Sequence, residues 1–227
     1  MTPLTIACVL VQGEYPYTPE YVRRLRVMCE RHVSRPFKFV CLTDQPEAMP
    51  AGVRPIHEHR LEGCFAEWTK MRLFDVFRND TGRILFIDLD SLIVNSLDLI
   101  IDYPAPIALI QDSLVVERAH ITKDRYGRQL NRKFQGSVMV WDAGHATDAW
   151  DRWILADALR LSTSQDWMAE VVPEAPAMPE AWFPRASRTQ PPWSDEAKIV
   201  LAKKPKGFQA AQKWPWFDAY WGGWSTR

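Results

Sequence analysis

Arg83-Ile84-Leu85-Phe86-Ile87-Asp88-Leu89-Asp90-Ser91-Leu92-Ile93-Val94 is the stretch on which the reading of this chain turns. An apolar run stops at two aspartates separated by one residue, and apolar sequence then resumes. Short apolar runs bounded by turn residues read as buried strands, and Thr81-Gly82 supplies the turn before this one. Asp88 and Asp90 are therefore expected at the carboxyl end of a central strand, the edge where open α/β sheets bind ligands. Carboxylates in such a place are costly unless neutralised. A divalent cation does this directly, because hard cations prefer oxygen ligands. In extended chain, residues i and i+2 point the same way, so Asp88 and Asp90 are expected to face one ion while Leu89 packs oppositely. A lone Asp-x-Asp also suits a solvated turn in which Asp90 or Ser91 caps the next segment. The apolar sequence on both sides favours the metal.

Toward the N-terminus, Leu4 to Val11 reads as the first strand, followed by a loop from Gln12 to Tyr17. Thr18 is placed as an N-cap with Pro19 at the first helical position. Val22, Leu25, Met28, Cys29 and His32 then recur at helical spacing. Phe37 to Leu42 reads as a second strand closed by Thr43-Asp44-Gln45-Pro46, and Val53 to His57 as a weaker third. His57-Glu58-His59 offers a metal only two ligands and reads as a polar strand end. Glu67 to Phe77 reads as one well-buried helix, since its apolar residues cover most of the circumference. Lys70 and Arg72 are the polar exceptions.

Toward the C-terminus, Pro104 to Gln111 reads as a strand. Ser113 to Lys133 breaks the pattern and carries Arg118, Lys123, Arg125, Arg128, Arg132 and Lys133. A charge run of this kind suits a solvated surface loop, though long loops inside a domain are often functional. Phe134 to Trp141 is a further strand, and Gly136 near its start permits close backbone approach. Ala146 to Leu159 reads as an amphipathic helix through Trp150, Trp153, Ile154 and Ala158. Ser164 is placed as the cap of a short helix beginning Gln165-Asp166. Ile199 to Ala202 is a late strand, followed by Lys203-Lys204-Pro205-Lys206-Gly207. The tail from Trp214 to Trp224 is aromatic and is expected to fold back, because exposed aromatics on this scale invite aggregation. Strands alternating with helices predict an α/β fold with a mostly parallel central sheet flanked by helices.

Charge is balanced, with 28 basic and 28 acidic side chains, which removes the general argument for nucleic acid or an anionic membrane as partner. No apolar run approaches the ~20 residues of a membrane span, and no leader pattern opens the chain. Cys8, Cys29, Cys41 and Cys64 form no close metal-type pair and read as buried free thiols. The chain reads as cytoplasmic. Its 11 tryptophans suit cores, interfaces and sugar-stacking surfaces alike.

The order of these pieces resembles the GT-A glycosyltransferases, nearest to family 8 and related nucleotide-sugar transferases. Leu4 to Val11 resembles the nucleotide-binding first strand, and Leu42-Thr43-Asp44 the turn after the second. Trp68-Thr69-Lys70 followed by Leu73-Phe74 is similar to the helix that carries a basic residue toward the sugar phosphate. Phe86-Ile87-Asp88-Leu89-Asp90 resembles the Asp-x-Asp motif. Gln135-Gly136-Ser137-Val138-Met139-Val140 is similar to the glycine-led strand where donor and acceptor sugars meet. Gln165-Asp166 falls where such enzymes often carry an aspartate near the donor sugar. The resemblance implies a single domain over residues 1–227, with a nucleotide-binding half (1–95) and an acceptor-side half (96–227).

The same resemblance implies transfer of a sugar, with retained configuration, from a nucleotide-diphosphate donor, UDP-linked by expectation, to an acceptor the sequence does not identify. Mn²⁺ or Mg²⁺ on Asp88 and Asp90 would neutralise the departing diphosphate. Lys70 and Lys203 would add charge-assisted contacts to the phosphates. Tyr15 or Tyr17 would stack on the base. Val11, Thr43, Leu89 and Gly136 would line the donor site, and Asp166 with Gln165 would meet the donor sugar. One departure stands out. The family's late metal-binding histidine precedes a Gly-x-x-Lys-Pro segment, and the corresponding stretch here has no histidine, with Lys203 near its position. Either the ion keeps fewer protein ligands, or lysine takes part of its electrostatic role, or His120 or His145 supplies a ligand from elsewhere, although nothing in the sequence places them there.

Two other readings compete. Ile84 to Leu92 also resembles the first strand of haloacid dehalogenase-type phosphatases, with Asp88 and Asp90 as nucleophile and acid. That motif usually lies near the N-terminus and continues Gly-Thr, whereas Ser91-Leu92 follows here. The missing histidine also fits a degenerate relative that binds a glycan or nucleotide without turnover.

Overall fold

Every residue of the strand Arg83–Ile87 is buried, and the rest of the fold is arranged on both faces of the sheet around it. The computed structural model describes residues 2–111, 123–130, 133–161, 163–186, 191–202 and 217–221. In chain order the strands are β1 (Leu4–Leu10), β2 (Lys38–Thr43), β3 (Arg54–His57), β4 (Arg83–Ile87), β5 (Ser91–Ile93), β6 (Ile107–Gln111), β7 (Phe134–Asp142), β8 (Ala177–Met178) and β9 (Ile199–Leu201). The α-helices are α1 (Pro19–His32), α2 (Arg72–Val76), α3 (Asp98–Ile101), α4 (Asp148–Asp151), α5 (Leu155–Arg160), α6 (Ser164–Val171) and α7 (Phe217–Trp221).

The main sheet has seven strands in the order β3-β2-β1-β4-β7-β6-β8, with β5 and β9 forming a separate two-stranded ribbon. β3, β2, β1 and β4 run parallel, β7 runs antiparallel to both β4 and β6, and β8 is parallel to β6. The expected mostly parallel sheet is present. The chain steps outward from β1 to β3 and then returns to the other side of β1 as β4. That reversal falls between β1 and β4, and the carboxyl ends of strands at such a point are where α/β sheets form a ligand-binding crevice.

Alternating side chains divide the core between the two sheet faces. Leu4, Ile6, Cys8 and Leu10 of β1 join α1, α3, α7 and the β5–β9 ribbon in one layer. Ala7 of β1 and Phe86 of β4 join α2, α4, α5 and α6 in the other. All four cysteines are free and buried, as expected. Among the described residues no helix is long and apolar enough to cross a membrane.

Several element boundaries differ from expectation. Glu67 to Phe77 is not one helix but a 3₁₀ segment, Ala66–Met71, followed by α2. Trp68, Thr69, Lys70 and Met71 are all buried, and four consecutive residues do not share one face of an α-helix. The tighter 3₁₀ winding suits short stretches of this kind. The expected helix from Ala146 to Leu159 is broken between α4 and α5, where Ile154 is extended. Trp150 and Trp153 stack at 5.6 Å with planes 8° apart against the core, while Ile154, Leu155 and Leu159 are exposed. β6 begins only at Ile107, since Pro104 and Pro106 lack the N–H that a ladder needs. Thr18 and Pro19 hold their expected places at the start of α1, without a side-chain cap. Ser164 is the first residue of α6 rather than its cap, which is Thr163.

The aromatic tail folds back where it is described. Phe217 and Trp221 are buried, Trp221 meets Tyr21 at 5.3 Å, and the Arg24 guanidinium lies 5.4 Å from its ring centre. Lys203 to Gly207, with Arg118, His120 and Arg132, lie outside the described residues.

Candidate active site

Lys70 is a buried cation at the carboxyl end of β4. It sits in the 3₁₀ segment Ala66–Met71 and is only 7% exposed. Its ammonium donates to Asp88 Oδ1 at 3.1 Å and to the Gly136 carbonyl at 3.1 Å. It also lies 5.1 Å from the centre of the Phe86 ring, a face that attracts cations. A buried ammonium is tolerable only with such partners. Asp88 is held in turn from β7, its N–H donating to the Ser137 carbonyl at 2.8 Å. Three elements distant in sequence thus meet at one nitrogen.

Asp90 has a different environment. Strand pairing ends at Ile87, and Leu89 and Asp90 form a turn into β5. The two aspartates are therefore not successive outward positions of one strand, although Leu89 is buried as expected. Asp90 is 8% exposed. Burial and the neighbouring Asp88 charge push its carboxyl up to about 7, against opposing hydrogen bonds from Tyr17 and its own backbone and the charge of Lys70. The Tyr17 phenol is itself raised, first by burial and then by Asp90 and Asp88. Its ring packs at 5.8 Å from Tyr15 and 5.2 Å from Tyr21. Tyr15, Tyr17, Tyr21 and Trp221 form a row from the crevice to the C-terminal helix.

The loop after β1 is fastened to the segment that carries Lys70. Gln12 N–H donates to Asp44 Oδ2 at 2.8 Å, and Glu14 Oε2 accepts from Ala66 N–H at 3.1 Å. Gly13 passes so near that a Cβ on it would fall 2.4 Å from Ala66 Cβ. On the opposite wall, α6 lies against β7. Gln165 Cβ is 3.6 Å, and Lys70 Nζ 3.8 Å, from where a Cβ on Gly136 would be. Asp166 is 3% exposed and accepts from Thr163 Oγ1 at 3.0 Å. Glu67 Oε1 accepts from Ser164 N–H at 3.1 Å. Burial raises the Glu67 carboxyl, Asp88 and Asp166 add to this, and Lys70 opposes it.

The structure brings together Tyr17, Lys70, Asp88, Asp90, Gly136 and Gln165; Asp166 follows Gln165 but bonds Thr163, Leu89 is buried, and Val11 follows directly on β1. Thr43 is fully buried, and its hydroxyl accepts from Gln45 N–H at 3.0 Å, so it shapes the turn while Asp44 reaches Gln12. Lys203 lies outside the described residues. Lys133, one of the basic-loop residues, is a brace, donating to the carbonyls of Pro173 and Ala175 at 2.7 and 3.2 Å. Sequence reasoning missed Glu67. Its only local signal is a three-residue spacing to Lys70, which aligns side chains when the helix is 3₁₀.

Asp88 and Asp90 fit a hard divalent ion in donor type. A cation would also relieve the repulsion that raises Asp90. Among the described residues no group of three or more His, Cys, Asp or Glu is arranged to hold a metal ion. Two carboxylates from the described residues would suit an ion whose shell is completed by phosphate oxygens and water.

No family model and no curated protein matches the chain. Solved structures do. It is similar to the WbbM bifunctional glycosyltransferase in its apo structure, with a TM-score of 0.65 and 14% identity over 96% of this chain and 51% of that one. The chain therefore spans about half the length of WbbM. It is similar to the galactosyltransferase LgtC in complex with donor and acceptor sugar analogs, with a TM-score of 0.62 and 13% identity over 98% of this chain and 97% of that one. An active-site mutant of LgtC, glutamine to glutamate, aligns with a TM-score of 0.60 and 11% identity over 88% of each chain. The likeness is one of fold, that of the GT-A glycosyltransferases.

Proposed function

We propose that this protein transfers a hexose from a UDP-sugar to an acceptor, with the diphosphate bound at the carboxyl ends of β1 and β4. The observation that carries the proposal is the buried Lys70 ammonium, shared between Asp88 and the Gly136 carbonyl at the reversal point of the sheet. A lysine has three donors; this one bonds the Gly136 carbonyl at 3.1 Å and straddles the Asp88 carboxylate at 3.1 and 3.5 Å, and a phosphate oxygen would take over the longer of the two Asp88 contacts. Loss of the nucleoside diphosphate builds negative charge on the leaving group, and fixed positive charge there lowers the barrier. Mn²⁺ or Mg²⁺ on Asp88 and Asp90 would supply Lewis-acid neutralisation when bound.

Tyr15 and Tyr17 border the donor site. Tyr17 is engaged with Asp90 and Tyr21, so the base stacks on Tyr15. Gly136 has no side chain between Lys70 and Gln165, where a Cβ would already touch both, and the donor sugar is assigned to the open side of this group. Gln165 is half-buried there, and its amide orients the sugar hydroxyls while Asp166 fixes the turn behind it. LgtC, the neighbour with an active-site glutamine mutant, is a galactosyltransferase, so UDP-galactose is the first donor to try. Retention of configuration and the use of a metal are parts of the proposal.

Titration calorimetry of UDP with and without Mn²⁺, on the wild type and on Asp88→Ala/Asp90→Ala, tests the site. Manganese-dependent binding lost in the double variant is the expected result, followed by UDP release from UDP-galactose or UDP-glucose. Binding of UDP without turnover of any donor would favour a degenerate binding protein. Phosphate-ester hydrolysis lost in Asp88→Asn, with no nucleotide-sugar turnover, would favour the phosphatase.

A further inference from the structure

The start of α6 is capped in an unusual way. The first amides of a helix lack partners within it, and the N-cap side chain ordinarily supplies one. Thr163 occupies the cap with extended backbone but makes no side-chain cap bond. Its hydroxyl is turned instead to Asp166 Oδ2, at 3.0 Å. The Ser164 amide, in a residue 3% exposed, is taken by Glu67 Oε1 at 3.1 Å, from a residue 97 positions earlier. A carboxylate at a helix N-terminus is also favoured by the helix dipole.

Glu67 stands one turn before Lys70 in the same 3₁₀ segment, and residues three apart in such a helix lie on one side. Ser164 is followed directly by Gln165 and Asp166. One hydrogen bond therefore joins the segment bearing the phosphate-facing cation to the helix bearing the sugar-facing amide. We infer that Glu67 is a positioning residue, which fixes the first turn of α6 so that Gln165 stands over Gly136 beside Lys70. This rests on the transferase reading. Glu67 acts through the Ser164 amide and takes no proton in the reaction.

The test compares wild type, Glu67→Ala and Glu67→Gln in UDP release from UDP-galactose and UDP-glucose with Mn²⁺, alongside amide hydrogen exchange across residues 163–168. Misplacing a group by an ångström costs up to about a hundredfold in rate, so Glu67→Ala should lose about ten- to a hundredfold in kcat with little change in KM. Glu67→Gln keeps an oxygen acceptor and should recover most of that loss. Exchange at the start of α6 should quicken in Glu67→Ala and not in Glu67→Gln. A wild-type kcat in Glu67→Ala overturns the inference. So does a glutamine variant as slow as the alanine one, which would mean that the charge itself takes part. A wild type inactive on every donor overturns the transferase reading alone. The exchange result then still decides, because unchanged exchange in Glu67→Ala removes the positioning contact.

Discussion

Lys70 Nζ and Asp88 Oδ1 lie 3.1 Å apart with side-chain exposures of 8% and 28%. The cation is buried and the anion is half open to the crevice. Asp88 can thus turn part of its carboxylate toward a ligand, while Lys70 is held in place by the Gly136 carbonyl and the Phe86 ring. Asp90, deeper in the fold, meets Tyr17 instead. The two acids of the motif have separate partners, and an ion between them would have to share Asp88 with Lys70.

Gly136 and Gly13 should respond differently to a methyl group. At Gly136 the nearest atoms to an added Cβ are 3.6 and 3.8 Å away, which is ordinary contact. Gly136→Ala should fold with a stability change under about 1 kcal/mol, yet lose activity because the methyl narrows the side assigned to the sugar. At Gly13 the Cβ would meet Ala66 Cβ at 2.4 Å, so Gly13→Ala should cost about 1–3 kcal/mol as overpacking does. Urea unfolding together with donor turnover separates the two. Full activity in Gly136→Ala would remove the sugar from that place.

Arg83 holds the far end of β4. Its guanidinium donates to the carbonyls of Ile101, Tyr103 and Ala105 and to Asp142 Oδ1, at 2.8 to 2.9 Å. Arg83→Met leaves those carbonyls without this donor and should destabilise by about 2–4 kcal/mol, at roughly 1 kcal/mol per hydrogen bond. Asp142 has a side chain 57% exposed, so Asp142→Ala should cost less than about 1 kcal/mol. Equal losses in urea unfolding would mean that the ion pair, not the backbone clamp, is what Arg83 provides.

The sheet was legible because its strands obey local rules. β1, β2 and β4 are short apolar runs ended by turn residues, and the aspartates lie at the predicted end of β4. What was not legible depends on contacts between distant segments. Nothing near Phe65 announces that the Lys70 segment winds as 3₁₀, since the burial of four consecutive residues is set by the walls they meet. The break at Ile154 comes from the packing of Trp150 and Trp153 on the core. Glu67 was missed for a related reason. Its partner is an amide 97 residues away, and a backbone group carries no sequence signature. Thr43 and Lys70 looked equally polar, but only the placement of neighbouring segments turns one hydroxyl into its own turn and the other side chain into the crevice.

Asp98 predicts a pH effect remote from the crevice. Burial alone would raise its carboxyl, but hydrogen bonds from Ser34 N–H and Ser96 Oγ, with the Arg35 charge, hold it below the ordinary range. A carboxyl lowered by folding stabilises the native state above its unfolded value, ~3.9 for aspartate. That contribution is lost as pH falls through the lower folded value. The stability gap between wild type and Asp98→Asn should be no more than about 1 kcal/mol at pH 7 after solvent screening, and should narrow toward pH 3. A gap that widens on acidification would show that Asp98 is not the anchoring group between the α1–β2 turn and α3.

Removing Lys70 should affect nucleotide and metal in opposite directions. Lys70→Met takes a fixed positive charge from the proposed phosphate site, and loss of one such group typically costs about a hundredfold or more in rate. It also frees Asp88, whose carboxylate is now held by the ammonium at 3.1 Å. With that competitor gone, Asp88 and Asp90 attract a cation more strongly, so Mn²⁺ should bind the variant more tightly in the absence of nucleotide. Calorimetry of Mn²⁺ alone, beside UDP-sugar turnover, reads both effects. Weaker Mn²⁺ binding in Lys70→Met would mean that Lys70 orders Asp88 for the ion rather than competing for it. Rates within about threefold of wild type, far from the hundredfold expected of a charge-stabilising group, would remove Lys70 from the phosphate site.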